Sequence, residues 1–142
     1  MATKNSNDLI QVLGDWYAKA PALPSNVNET LATIAPWFAL IFGILGVIGG
    51  LGMAGWSPVA AMGGFHYGTN VLISGILTII ASVLLLMAYP GLRNRKYIGW
   101  RWAFWSEVVS LLSAIVVGSI VGGIIGAIIA FYILFQIKPY FK

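Results

Sequence analysis

From residue 100 to residue 137 the chain is apolar at almost every position, and its only charges there are Arg101, near the start, and Glu107. One helix through those roughly 38 residues would be ~57 Å long, nearly twice a hydrocarbon core of ~30 Å, so the segment must fold back on itself. The break is expected within Gly118-Ser119-Ile120-Val121-Gly122-Gly123, where small residues cluster and glycine tolerates the positive φ of a tight turn. The pattern therefore predicts a transmembrane hairpin with helices over 100–117 and 120–137.

Two earlier apolar runs, over 31–55 and 69–89, are each long enough for one crossing. Asn26 and Glu29 have the spacing of a capping pair for the first run, and Pro36 inside it predicts a kink or a helix restart. Trp56 to Thr69 carries no Lys, Arg, Asp or Glu and contains Ser57-Pro58 and Gly63-Gly64. It reads as a connection near the lipid interface, with Trp56, Phe65, His66 and Tyr67 as belt aromatics. Pro90-Gly91 is expected to stop the second span. Ahead of all of these, Asn5-Ser6-Asn7-Asp8 is a cluster of N-cap residues. Leu9, Val12, Leu13, Trp16, Tyr17 and Ala20 then recur at helical spacing, which predicts an amphipathic helix over 8–20, ended by Pro21 and Pro24. Such a helix lies in the membrane interface or docks a partner protein. The expected fold is all-α: a polytopic membrane protein with a four-transmembrane-helix bundle and an N-terminal amphipathic interfacial helix, in a single domain spanning 1–142.

Composition agrees with this pattern. With 59% hydrophobic and 8% charged residues and a mean hydropathy of +0.88, the chain is far from the soluble balance of about half apolar and a quarter charged. The net charge of +4 does not point to nucleic acid, because the basic residues flank apolar spans and act there as orientation signals. Arg93, Arg95, Lys96 and Arg101 form the densest positive run, which places that loop in the cytoplasm. With four crossings, Lys4, Lys19, Lys138 and Lys142 fall on the same side, so both termini are expected there. The polar stretch Met1 to Asp8 does not read as a cleavable signal. The bacterial inner membrane is the expected location.

Chemistry is sparse. The absence of cysteine removes thiolate metal sites, iron–sulfur clusters and a thiol nucleophile, and the single histidine, His66, cannot by itself supply paired imidazoles. No convergent Ser–His, paired-aspartate or acid–base constellation is present, so the expectation is no enzyme and no cofactor. Glu107 is the one acid inside a span. An intramembrane acid is costly, so it is expected to face the bundle or a polar cavity and to bond a hydroxyl on a neighbouring helix, with Ser74, Thr78 and Ser82 as candidates. Ser106 and Ser110 flank it on one stripe with Ser113. Small residues form packing stripes: Gly46, Gly50 and Ala54 in the first span, and Gly122, Gly126 and Ala130 in the last, with Gly123 and Ala127 on the neighbouring stripe. The simplest inference is that the last stripe meets the serine stripe inside the hairpin, with a homodimer seam as the alternative.

The segment 126–138, with the Arg93-Asn94-Arg95-Lys96-Tyr97-Ile98-Gly99-Trp100 loop before it, resembles a family of small uncharacterised bacterial membrane proteins with four predicted helices. That resemblance implies a fold and a bacterial origin and no activity. Two functions are expected from the residues. The first is a non-enzymatic subunit, assembly factor or scaffold acting through helix association, with the lipid bilayer and further copies or other membrane subunits as partners. The alternative is a small oligomeric transporter or channel using Glu107 as its intramembrane carboxylate, along a path lined by Ser74, Thr78, Ser82, Ser106 and Ser110.

Overall fold

A computed structural model describes residues 6–142. Five helices follow in order: α1 (Ser6–Ala18), α2 (Ser25–Ala61), α3 (Phe65–Arg93), α4 (Tyr97–Val117) and α5 (Ile120–Ile137), with a closing 3-10 turn over Lys138–Tyr140. No strand occurs among the described residues. α2, α3, α4 and the stretch from α5 to Tyr140 are each long and apolar enough to cross a membrane. The hairpin between the last two turns where expected, at Gly118-Ser119, and Gly118 takes a left-handed φ of 89°.

The first two spans are longer than the sequence pattern suggests. α2 has 37 residues and α3 has 29, or ~55 Å and ~44 Å of helix. Trp56 to Thr69 is therefore not a loop; only residues 62–64 connect the helices. A helix end exposes backbone groups that lipid cannot satisfy, so helices continue until they reach polar surroundings. Proline does not end them either. Pro58 removes the donor owed to the Ala54 carbonyl, and the Ser57 hydroxyl supplies one at 2.8 Å. Pro90 lies inside α3, which continues to Arg93, and Pro36 is buried inside α2 eleven residues after its start, so no helix restarts there. Asn26 and Glu29 do not cap α2: its N-cap residue is Pro24 and no side chain caps it. Glu29 instead pairs with Arg95 at 2.9 Å.

Close backbone approach organises the first half of the bundle. α2 packs on α3 over the largest contact, and α3 on α4 over the next. Gly50 and Gly75 face each other there: a Cβ on Gly75 would come within 2.9 Å of the Gly50 carbonyl and the Ala54 amide. Gly46 lies against Ser82 and Gly68 against Ala61. Gly91 and Gly99 bring the ends of α3 and α4 into backbone contact.

The α4–α5 contact is smaller and is made by aromatic rings. Trp100, near the start of α4, is fully buried. Its ring stacks on Tyr97 and Phe104, Phe104 meets Phe131 at 5.2 Å, and Phe135 stands edge-on to both Trp100 and Phe104. The packing stripe expected on α5 is not what α4 touches. Gly122 and Gly126 face open space; Gly123, against the Ala114 methyl, and buried Ala127 lie on the inner face instead.

α1 and the segment after it strap α5 at its C-terminal half. The Tyr17 hydroxyl donates to the Ile128 carbonyl at 3.0 Å, its ring stacks on Phe135 at 5.4 Å, and the Leu23 amide donates to Gln136 Oε1 at 3.2 Å. Tyr140 reaches the Ser25 carbonyl. Ile10 is buried in the core while Leu9, Val12 and Trp16 point outward, so α1 carries one apolar face for the bundle and another that is left exposed. At the same end the Arg95 guanidinium binds Glu29 and Thr33, and the Lys142 amide donates to the Arg95 carbonyl. The N-terminal strap, the 94–96 loop and the C-terminus thus gather at one end. The 62–64 and 118–119 turns lie at the other.

Candidate functional site

Adjacent residues on a helix point about 100° apart, and α4 uses that rotation to separate two polar rows. Ser106 and Ser113, seven residues apart, face α3. The Ser106 hydroxyl donates to the Ala81 carbonyl at 2.6 Å. Ser113, Ser74 and Thr78 form one hydroxyl cluster, with Oγ to Oγ at 2.6 Å for Ser74 and Oγ to Oγ1 at 2.9 Å for Thr78. Ser74 and Ser113 also sit within reach of each other's backbone carbonyls, at 3.0 and 2.9 Å. The serine row therefore meets α3 and not α5, contrary to the simplest reading of the hairpin. A buried hydroxyl needs an acceptor or donor, and α5 carries no hydroxyl from Ile120 to Phe131.

Glu107 and Ser110, three residues apart, belong to the other row. They line a cavity of about 580 Å³ enclosed by α2, α3, α4 and α5. Its polar groups are Thr78, Ser82, Ser106, Glu107 and Ser110, and they sit together at the level of Gly46. The rest is apolar, running past Phe38 and Ile133 to Leu31, Leu92 and Ile137. Between Leu31 and Gly46 α2 rises ~22 Å, so the lining is polar at one end and apolar over the remaining length. The α2–α5 contact is smaller than the α2–α3, α3–α4 and α4–α5 contacts around this wall.

Within this cavity Glu107 makes no hydrogen bond or ion pair with any described residue. The hydrogen bond expected from Ser74, Thr78 or Ser82 is not formed. Ser74 and Thr78 are taken by Ser113, and the Ser82 hydroxyl donates to the Thr78 carbonyl at 2.6 Å. Ser74 lies outside the cavity, whereas the other five candidate residues line it. No cluster of three or more metal-binding side chains exists among the described residues. His66 is exposed at the far tip, beside Phe65.

Fold and cavity together define a class: a multi-pass α-helical membrane protein with one carboxyl group, among a few hydroxyls, at one end of a largely apolar chamber. Comparison with family models, with curated proteins and with solved structures finds no match.

Proposed function

We propose that the chain is a small carrier of the bacterial inner membrane, with its basic end in the cytoplasm, that holds a membrane-soluble small molecule against Glu107. The observation that carries this reading is the position of Glu107, which faces a ligand-sized cavity and has no partner from the described chain. A group that is costly to hold in hydrocarbon is retained where it meets a substrate or ion, and cavities of ~300–1,000 Å³ suit small molecules. No enzymatic step is part of the proposal. Helix association as a subunit or scaffold is the second reading, favoured by Gly122 and Gly126, whose small-residue face touches nothing among the described residues. In that reading the partners are further copies or other membrane subunits.

Purification in a mild detergent followed by native mass spectrometry separates the two. The carrier reading predicts a small molecule retained by the parent and lost from Ala130→Trp, which fills the cavity, while the helical content of that variant is kept. A stoichiometric foreign chain with no small molecule in either protein contradicts it and supports association.

A further inference from the structure

We infer that the cavity selects amphiphiles carrying one positive charge, and that their binding competes with protonation of Glu107. The inference rests on the carrier reading and specifies its cargo.

Charge decides the head group. Among the described residues the lining holds one titratable side chain, Glu107, and no cation. From α2 the facing groups are Leu31, Ile34 and Phe38, from α3 the hydroxyls Thr78 and Ser82, and from α5 Ile133 and Leu134, none of which is charged. The closest charge on α4 itself is Arg101, six residues or ~9 Å back along the axis and outside the lining. A cation placed at Glu107 therefore gains a counter-charge where solvent screening is weak. An anion meets a like charge, and a neutral molecule gains only the apolar contacts.

Shape decides the body. The polar groups are confined to one end, and the wall leading away from them, ~15 Å along α3 from Ser82 to Leu92, is aliphatic and aromatic. The Ser106 and Ser82 hydroxyls spend their protons on the Ala81 and Thr78 carbonyls, so their oxygens remain as acceptors beside the carboxylate. This arrangement suits a monocation whose remaining surface is apolar. The sparse α2–α5 contact is the side through which a molecule dissolved in lipid would enter.

Balance follows from the single carboxyl. With Glu107 protonated the chamber is neutral; with a monocation bound, the carboxylate form is favoured. Each cation that binds a protonated site releases one proton to water, and acid expels the cation. Affinity for a monocation thus falls as pH is lowered, and affinity for a neutral molecule does not follow it.

Three probes of similar bulk test this in detergent by equilibrium dialysis: tetraphenylphosphonium, tetraphenylborate of opposite charge, and neutral triphenylmethane. The parent is expected to bind the phosphonium at least tenfold tighter than the borate, and more weakly as pH falls. Removing one member of a desolvated charge pair costs on the order of thirtyfold or more in affinity, so Glu107→Gln should lose that preference. Glu107→Asp, which keeps the charge, should retain most of it and so guards against a folding defect in the Gln variant. If triphenylmethane binds but the phosphonium is not preferred, or if Glu107→Gln binds the phosphonium as the parent does, the cation assignment is wrong while the cavity reading stands. If none of the three binds the parent, both fall.

Discussion

The indole nitrogen of Trp100 on α4 lies 2.7 Å from the carbonyl oxygen of Leu134 on α5. Leu134 is in the last turn of α5, so the indole N–H adds a donor at the helix end while its ring fills the aromatic contact. Lys138 closes the arrangement, with its ammonium 5.3 Å from the Trp100 ring centroid. Trp100→Phe keeps a ring and loses the donor. It should lower stability by about 1 kcal/mol, the usual range for one hydrogen bond in a membrane protein. Trp100→Ala also loses the buried ring and should cost about 3–5 kcal/mol. Unfolding titrations in mixed micelles read both, and a Phe variant as stable as the parent would mean that the hydrogen bond contributes nothing.

The α3–α4 contact depends on shared hydroxyls. Ser113→Ala removes the hydroxyl that Ser74 and Thr78 both use, leaving Ser74 with the Ser113 carbonyl alone and Thr78 to find another partner. Its cost should exceed that of Ser110→Ala, whose hydroxyl faces the cavity. A double-mutant cycle between Ser74→Ala and Ser113→Ala should show a coupling of about 0.6–1.7 kcal/mol. Additive effects would exclude a cooperative cluster.

Two glycine substitutions that look alike on paper should behave differently. Gly75→Leu forces its Cβ against the Gly50 carbonyl and the Ala54 amide, and the bundle should fail to assemble. A Cβ at Gly126 meets nothing among the described residues, so the Gly126→Leu monomer should keep its stability. If Gly126→Leu leaves the fold intact but shifts the native mass to a smaller species, the α5 face is a seam between chains, and the association reading gains what the carrier reading loses.

The spans, the Gly118-Ser119 turn and the row of small polar residues around Glu107 are legible in the sequence because each has a local cause: length against bilayer thickness, a residue that accepts positive φ, and the rarity of an acid among apolar neighbours. Partner choice is not. In a bilayer both the packed and the lipid-facing sides of a helix are apolar, so periodicity cannot say that Ser113 turns to α3, that Gly122 and Gly126 are left open, or that Trp100 is core while Trp16 is exposed. Helix ends were misplaced at Trp56 to Thr69 and at Pro90 for a related reason. Proline and glycine are weaker breakers where neighbouring side chains, such as Ser57, can satisfy the freed backbone groups.

The strap should loosen in alkali. Burial raises the Tyr17 phenol above its ordinary value near 10. The folded form therefore holds its proton more tightly than the unfolded chain, so its contribution is complete below pH about 10 and declines as pH rises beyond that. Ionisation also removes the proton donated to Ile128. Fluorescence of the tryptophans, including exposed Trp16, should change above pH about 10 in the parent. In Tyr17→Phe that transition should be absent, and an unaltered transition would assign it elsewhere.

Topology follows from the gathering of the strap, the 94–96 loop and the C-terminus at one end. Reporters placed after Lys142 and at Gly63 should give opposite signals, with the Lys142 fusion on the cytoplasmic side. Identical signals would remove the four-span arrangement.

The most direct test of the central claim is chemical modification of Glu107 itself. A lipid-soluble carbodiimide reaches carboxyl groups from the hydrocarbon phase, and a water-soluble one reaches those at the polar end, where Asp8, Asp15 and Glu29 are exposed. With Glu107 facing an open cavity and unclaimed by the described chain, the lipid-soluble reagent should modify the peptide containing Glu107. The water-soluble reagent should spare it, and Ala130→Trp should block the reaction. Modification confined to Asp8, Asp15 and Glu29 with both reagents would show that Glu107 is sealed within the protein, and would contradict the account.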